Sequence, residues 1–228
     1  MLTGVGAEGQ VGEVVAKTFA EQGALVVLVD RTTVQAEQRA AAIVARGHLA
    51  RGYGCDLTEP ADVAALAEEV RRLHGDNLDA LVHMAGGFAM SGPVAESSFE
   101  AWNRQIAINL TTAYLTTRAF LPLLRAGRGS IVLFASEIAL PGMTGSNRSA
   151  YAVAKSGVVA LMRSIAAEER KNGVRANAVA PIAIRTAANL TSMGADVRYI
   201  EREQVASAVA FLCSEAASAI TGELVPLT

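Results

Sequence analysis

The chain has 228 residues, of which 51% are hydrophobic and 18% charged, and its formal net charge is −2. This composition supports a large buried core and argues against disorder, and the absence of Lys/Arg runs argues against a nucleic-acid or anionic-membrane partner. No apolar run predicts a membrane span and no signal peptide is present, so we expect a cytoplasmic protein. Two distant cysteines and three scattered histidines predict neither a disulfide framework nor a metal site.

Apolar runs of strand length alternate with segments of helical period along the chain. The predicted strands lie near 1–3, 24–29, 48–53, 78–84, 131–135, 174–180 and 221–226. The predicted helices cover about 10–22, 33–46, 60–73, 99–125, 149–171 and 203–214, with a kink or break near Pro122. Several of the strands are apolar on both faces, which is typical of a parallel sheet covered by helices on both sides. We therefore predict a single α/β domain over 1–228 with a doubly wound, Rossmann-type parallel sheet in three layers.

A glycine-rich loop stands between the first predicted strand and the first helix. Its Gly4, Gly6, Gly9 and Gly12 can present backbone N–H groups and the helix N-terminus to a pyrophosphate. Asp30 ends the next strand, where a carboxylate can accept both hydroxyls of an adenosine ribose. The alternative for the loop is a flexible segment with incidental glycines. The alternative for Asp30 is a helix-capping or turn aspartate.

Tyr151 and Lys155 are four residues apart in a predicted helix and therefore share one face. A lysine ammonium favours the phenolate and lowers the tyrosine pKa from about 10, so the pair can act as a general acid/base. An ordinary Tyr and Lys on a half-exposed helix would give the same pattern. Ser136 follows a strand at its carboxyl end, where it can hydrogen-bond a substrate carbonyl. Asn109 is either a capping or kink residue of its helix or a polar group turned into a site.

Taken together in this order, the motifs resemble those of the short-chain dehydrogenase/reductase family over essentially the whole chain. The resemblance assigns Asn109, Ser136, Tyr151 and Lys155 to a catalytic tetrad. It implies that Tyr151 exchanges the proton at the substrate oxygen, Ser136 orients that oxygen, Lys155 binds the nicotinamide ribose, and Asn109 positions a water. The cofactor-binding residues that it implies are Thr3, Gly4, Gly6, Gly9, Gln10, Val11, Gly12, Asp30, Arg31, Asp56, Leu57, Ala85, Gly86, Tyr151, Lys155, Pro181, Ile182, Ile184 and Thr186.

Three departures from the family pattern lie in the cofactor motifs. The glycine loop is longer than usual and has Gln10 where the middle glycine is expected. His83-Met84 replaces the two asparagines of Asn-Asn-Ala-Gly, and Ile182 replaces the glycine after Pro181. These changes favour an alternative in which the chain is a dinucleotide-binding sensor or scaffold with little or no turnover.

The main prediction is an oxidoreductase that transfers a hydride between a nicotinamide cofactor and a small alcohol or ketone. NAD is expected rather than NADP because Asp30 would repel a 2′-phosphate, although Arg31 could hold one. The substrate lid, about 187–200, has few charges, which favours a neutral, partly apolar substrate. A homo-oligomer, tetramer or dimer, is expected because the helices around 99–125 and 149–171 carry many apolar residues. These residues include Ile106, Leu110, Tyr114, Val158, Leu161 and Ile165.

The first strand of such a sheet lies between two neighbours, yet Met1–Thr3 can supply only its last part, since strands usually run about 5–6 residues. We expect a stub between full-length neighbours, which an earlier natural start would explain. An apolar extension ahead of Met1 is then expected to raise the melting temperature and tighten NAD binding.

Overall fold

Seven parallel strands form the centre of the computed structural model, which describes residues 1–228. The strands are β1 (Leu2–Thr3), β2 (Val26–Asp30), β3 (Ala50–Gly54), β4 (Ala80–His83), β5 (Ser130–Phe134), β6 (Arg175–Pro181) and β7 (Leu224–Leu227). Their order in the sheet is β3-β2-β1-β4-β5-β6-β7, and every pair is parallel. The chain therefore changes direction between β1 and β4, and the predicted doubly wound topology is confirmed.

The chain has eight helices, and most of them cover the two faces of the sheet. They are α1 (Val11–Glu21), α2 (Thr33–Val44), α3 (Pro60–His74), α4 (Phe99–Ile106), α5 (Thr112–Gly127), α6 (Ser149–Glu169), α7 (Ala187–Met193) and α8 (Arg202–Cys213). Because successive strand residues point to opposite faces, Val27 and Val29 join the core beneath α3, α5 and α6. Leu28 joins the other core, beneath α1, α2 and α8. This alternation explains why the strands read as continuous apolar runs.

The central strand β1 is a stub of two residues between longer neighbours, as predicted. Leu2 lies opposite Leu28 on one side and Val82 on the other. The terminal ammonium of Met1 donates to the carbonyl of Ala80 at 2.7 Å. A largely apolar cavity of about 180 Å³ lies at this amino end of the sheet.

The long helix expected over 99–125 is divided, but not at the expected place. A π-helical segment, Ala107–Thr111, separates α4 from α5, whereas α5 continues through Pro122 to its end. The helix is therefore not broken near Pro122. Proline leaves the carbonyl of Arg118 without its helical donor, and Arg118 is exposed, so water can take that place. Wide π turns are often found at functional sites, and this one contains Asn109.

The segment formed by α6 and its 3₁₀ extension, Ser149–Asn172, contains an 18-residue window with a mean hydropathy of 1.2 and is, by length and composition only, long enough to cross a membrane. In the fold this helix packs on the sheet, with Val158, Met162 and Ile165 in the core. Val158 and Ile165 were expected to face a partner subunit, but they are buried in the core and cannot do so. Tyr114, from the same set of residues, is 48% exposed and remains accessible.

Candidate active site

Two cavities lie side by side along the carboxyl edge of the sheet and share the wall formed by Met84 and Gly86. The first, here the Asp30 cavity, has a volume of about 350 Å³, and the second, the Tyr151 cavity, about 430 Å³. Of the expected site residues, the Asp30 cavity contains Gly4, Gly6, Asp30, Arg31, Asp56, Leu57, Ala85 and Gly86. The Tyr151 cavity contains Val11, Gly86, Asn109, Ser136, Tyr151, Lys155, Pro181, Ile182 and Ile184. Thr3, Gly9, Gln10, Gly12 and Thr186 line neither cavity.

The glycine loop brings β1, β4 and α1 close together. A Cβ atom at Gly4, whose φ is +69°, would lie 2.5 Å from the backbone of Ala85, and one at Gly12 would overlap the carbonyl oxygen of Val5. Gly9 has another role, because its N–H donates to Glu13 at 2.7 Å. The longer loop is thus closed by a side chain of α1, and the N–H of Gly9 is not free to bind a phosphate.

Asp30 is held at the wall of its cavity by two backbone donors. Its carboxylate oxygens accept from the N–H of Gly6 and from the N–H of Arg31, both at 2.7 Å. Asp56 lies in the same cavity, where its Oδ1 accepts from the N–H and the hydroxyl of Thr58. These hydrogen bonds lower the pKa of Asp56, against an opposing effect of burial, and the charge of Arg31 lowers it further. Both carboxylates therefore face the cavity in fixed positions.

His83, which stands at the first asparagine position of the family motif, is buried between the sheet and α5. Its Nδ1 lies 2.8 Å from the hydroxyl of Thr3, and its Nε2 lies 3.2 Å from the hydroxyl of Thr112. Because Thr112 donates to the carbonyl of Ile108 at 2.8 Å, its oxygen accepts from Nε2–H, and Thr3 donates to Nδ1. Burial, followed by the charge of Lys155, lowers the pKa of His83 to about 3, so the ring is neutral. Thr3, expected at the cofactor, instead ties β1 to this histidine.

Asn109 holds the turn that follows β4. Its side-chain amide pairs with the backbone of Gly87, donating to the carbonyl at 2.9 Å and accepting from the N–H at 3.1 Å. A Cβ atom at the neighbouring Gly86 would lie 2.5 Å from Oδ1 of Asn109 and 3.4 Å from Nζ of Lys155. Both interpretations of Asn109 fit this arrangement, because it lies in the π segment that interrupts the helix and also lines the Tyr151 cavity.

Lys155 is buried, and its Nζ donates to the carbonyl of Phe134 at 2.8 Å. The same nitrogen lies 5.8 Å from the centroid of the Tyr151 ring. Burial lowers the pKa of Lys155 to about 8. Since this donor has only one protein acceptor, its remaining N–H groups are free for a ligand.

The pKa of Tyr151 is raised by burial, and it is Ser136 and Arg148, not Lys155, that act to lower it. The expectation that Lys155 lowers the phenol pKa stays a prediction for the ligand-bound site, because here the ammonium is directed at the carbonyl of Phe134. Ser136 lies with Tyr151 in one cavity, as expected. The sequence analysis missed Phe88, whose ring packs edge-on against Tyr151 at 5.1 Å and 88°.

The segment expected to form a substrate lid contains a helix that the sequence analysis did not predict. Thr186 caps this helix, α7, by accepting from the N–H of Asn189 at 3.2 Å. The hydroxyl of Tyr199 donates to the carbonyl of Gly194 at 2.7 Å, which ties down the following loop. The residues of this segment that line the Tyr151 cavity are Asn189, Ser192 and Met193. Thr186 therefore orients the lid and does not line the cavity, and its N-cap residue type was the signal for α7.

Comparisons with known proteins show the family and the fold of the chain. The family model described as enoyl-(acyl carrier protein) reductase matches residues 4–227. The chain is 34% identical to 2-(S)-hydroxypropyl-CoM dehydrogenase 3 of Xanthobacter autotrophicus, over 97% of this chain and 91% of the relative. It is 36% identical to cis-4-hydroxycyclohexanecarboxylate dehydrogenase of Sinomonas cyclohexanicum, over 96% and 91%. The crystal structure of gox2181 superposes with a TM-score of 0.90 at 28% identity, covering 99% of this chain and 92% of that one.

Proposed function

Since the chain belongs to the short-chain dehydrogenase/reductase family and is an NAD(P)-dependent oxidoreductase, we propose that it interconverts a small alcohol and the corresponding ketone, with NAD as its cofactor and Tyr151 as its proton donor or acceptor. The relatives are named as dehydrogenases of hydroxyl compounds, which supports a CH–OH group as the reacting centre. The observation that carries the proposal is the convergence of Asn109, Ser136, Tyr151 and Lys155 on one cavity that adjoins the carboxylate of Asp30.

A nicotinamide dinucleotide fits the residues that line the two cavities. Gly4, Gly6 and Asp30 line a cavity of about 350 Å³, and Lys155 in the adjoining cavity has N–H groups without a protein acceptor. Asp30 would hold the adenosine ribose and Lys155 the ribose at the nicotinamide end. When bound, the nicotinamide supplies or accepts the hydride.

In alcohol oxidation, Tyr151 accepts the hydroxyl proton as the hydride leaves the carbinol carbon, and in ketone reduction it returns that proton to the oxygen. Ser136 donates a hydrogen bond to the substrate oxygen and holds it beside the phenol. Asn109 fixes the backbone at Gly87, so the floor of the cavity does not move when the substrate binds. The positive charge that Lys155 keeps near the phenol stabilises the phenolate once a ligand draws the ammonium away from Phe134.

NAD is the proposed cofactor because the carboxylate of Asp30 lines the cavity that would hold the adenosine ribose, and it would repel a 2′-phosphate there. Arg31 adjoins it, is exposed and makes no ion pair, so it is the group that could favour NADP. We expect the unaltered protein to prefer NAD over NADP by at least about tenfold. Asp30→Ala should narrow or reverse this preference, whereas Arg31→Ala should strengthen it. Steady-state kinetics with both cofactors test this, and equal or better efficiency of the unaltered protein with NADPH would contradict it.

The rival function is a dinucleotide-binding sensor or scaffold without turnover. Fluorescence titration with NADH, followed by turnover on a panel of small ketones and secondary alcohols, separates the two. We expect binding together with turnover. Tight binding without turnover on any member of the panel would favour the rival.

A homo-oligomer, tetramer or dimer, is part of the same proposal. Tyr114 on α5 and Val153 on α6 are 48% and 46% exposed and offer an apolar surface for a second copy. Sedimentation at micromolar concentration tests this, and a monomer there would contradict it. We also propose a cytoplasmic location, which the free thiols of Cys55 and Cys213 support.

A further inference from the structure

The Tyr151 cavity contains an arginine that makes no ion pair with the protein. Its lining includes three ionisable side chains besides Tyr151, namely Glu137, Arg148 and Lys155. Lys155 is buried and donates to the carbonyl of Phe134. Arg148 is half-buried and makes neither an ion pair nor a side-chain hydrogen bond, although Glu137 lines the same cavity. Its guanidinium is therefore free to bind a ligand.

Arg148 is fixed next to the reacting group by its place in the chain. It precedes the first turn of α6, where its N–H donates to the carbonyl of Gly145 at 2.9 Å and its carbonyl accepts from Ala152 at 3.0 Å. Arg148 and Tyr151 line the same cavity, so a ligand bound there can contact both side chains. The charge of Arg148 acts on Tyr151, since it lowers the pKa of that phenol. A group bound by Arg148 would therefore lie a short distance from the reacting carbon.

On these grounds we propose that the substrate carries an anionic group, a carboxylate or a similar oxyanion, which Arg148 binds while Tyr151 acts on the hydroxyl or carbonyl. This inference rests on the proposed function of the same site. A guanidinium in a partly apolar cavity pairs most strongly with a planar anion, which it can bind through two parallel hydrogen bonds. Arg148 lies outside the segment 187–200, on which the expectation of a neutral substrate depended.

The rest of the cavity wall selects the body of the substrate and its orientation. Phe88 and Met193 stand at the cavity with 56% and 49% of their surface exposed, so they offer apolar contact to a small carbon skeleton. Glu137 follows Ser136 directly and repels an anion from that side. Attraction to Arg148 and repulsion from Glu137 together favour one orientation, with the acid group away from Ser136. The expected class is a small hydroxy or keto acid with an apolar skeleton.

The experiment compares keto acids with their neutral amides in the unaltered protein, Arg148→Gln and Arg163→Gln. The probes are acetoacetate with acetoacetamide, and 4-oxocyclohexanecarboxylate with its amide. Arg163 lies on the exposed side of the same helix, away from the cavity, and its variant is the matched control. We expect the unaltered protein to reduce at least one acid with a kcat/KM at least about tenfold above that of its amide. Arg148→Gln should lower this acid-to-amide ratio by about 10- to 100-fold, mainly through KM, as loss of a charged hydrogen bond predicts. Arg163→Gln should leave the ratio unchanged.

A binding readout separates failure of this inference from failure of the proposed function. In a thermal-shift titration, the acid probes should raise the melting temperature of the unaltered protein more than their amides do, and Arg148→Gln should abolish the difference. An acid-specific shift without turnover would overturn the proposed reaction but support the anion site. Equal shifts and equal kcat/KM for acids and amides in the unaltered protein would overturn the anion site. A ratio that Arg148→Gln leaves unchanged would overturn it as well.

Discussion

The buried ammonium of Lys155 should make the folded protein less stable than a variant with an apolar side chain there. Burial lowers the pKa of this group from 10.5 to about 8, so folding takes a charged group into a site that disfavours its charge. A pKa difference of this size corresponds to about 3 kcal/mol at 1.36 kcal/mol for each tenfold change. Lys155→Met removes that cost but leaves the carbonyl of Phe134 without its donor, which costs about 1–3 kcal/mol. We therefore expect Lys155→Met to be inactive and, at pH 7, between equally stable and about 2 kcal/mol more stable than the unaltered protein.

The pH dependence gives the sharper test. The free-energy cost of the unpaired Phe134 carbonyl in Lys155→Met is the same at every pH, so it cancels when the stabilities at two pH values are compared. Between pH 8 and 10.5 the unfolded chain binds more protons at Lys155 than the folded chain, so the stability of the unaltered protein rises with pH there. The methionine variant lacks this rise. Its advantage should therefore fall by about 2 kcal/mol between pH 7 and pH 9.5, as measured by urea unfolding at both pH values. Lys171→Met, at an exposed position, is the control and should show no such change. An advantage that is the same at both pH values, or a variant much less stable at pH 7, would refute the reasoning.

Two further predictions concern the turn after β4 and its surroundings. His83→Asn should keep both hydrogen bonds to Thr3 and Thr112 but remove an acid-sensitive group. Because the pKa of His83 is lowered to about 3 in the folded protein, the unaltered protein loses stability as the pH falls below 6.5. The loss should reach about 2–3 kcal/mol at pH 4.5. Unfolding of both proteins at pH 7 and pH 4.5 checks this, and parallel losses would contradict it. Gly86→Ala should displace Asn109, lower kcat/KM at least about tenfold and destabilise the fold by about 1–3 kcal/mol. Gly47→Ala, also at positive φ but with open space at its Cβ, controls for backbone strain, and equal effects of the two substitutions would contradict the prediction.

The parts of the fold that depend on local pattern could be predicted from the sequence. Val26–Val29 and Ile131–Phe134 are apolar at every position because both faces of the sheet are covered, and they are strands as expected. The stub at β1 followed from the number of residues ahead of Gly4. The spacing of Tyr151 and Lys155 on α6 placed both in one cavity.

The features that depend on contacts between distant segments could not be predicted. The π segment at Asn109 forms where its side chain pairs with Gly87, and although Asn109 was a candidate kink residue, its partner could not be read from the local sequence. Lys155 is directed at the carbonyl of Phe134, 21 residues away in the chain, so its spacing from Tyr151 did not reveal its partner. Arg148 lines one cavity with Gly86 and Pro181, which are distant from it in the chain.

The most direct test of the account is the turnover of Tyr151→Phe with its best alcohol or ketone substrate, measured together with NADH binding. The substitution removes only the hydroxyl that exchanges the proton, and Phe88 can pack against a phenyl ring as it does against the phenol. We expect kcat to fall by about 10²–10⁴-fold while NADH affinity stays within about twofold, because general acid/base groups contribute rate increases of that size. Tyr114→Phe, at an exposed tyrosine on α5, should leave kcat unchanged. A Tyr151→Phe variant that keeps kcat within a few-fold of the unaltered protein would contradict the central claim.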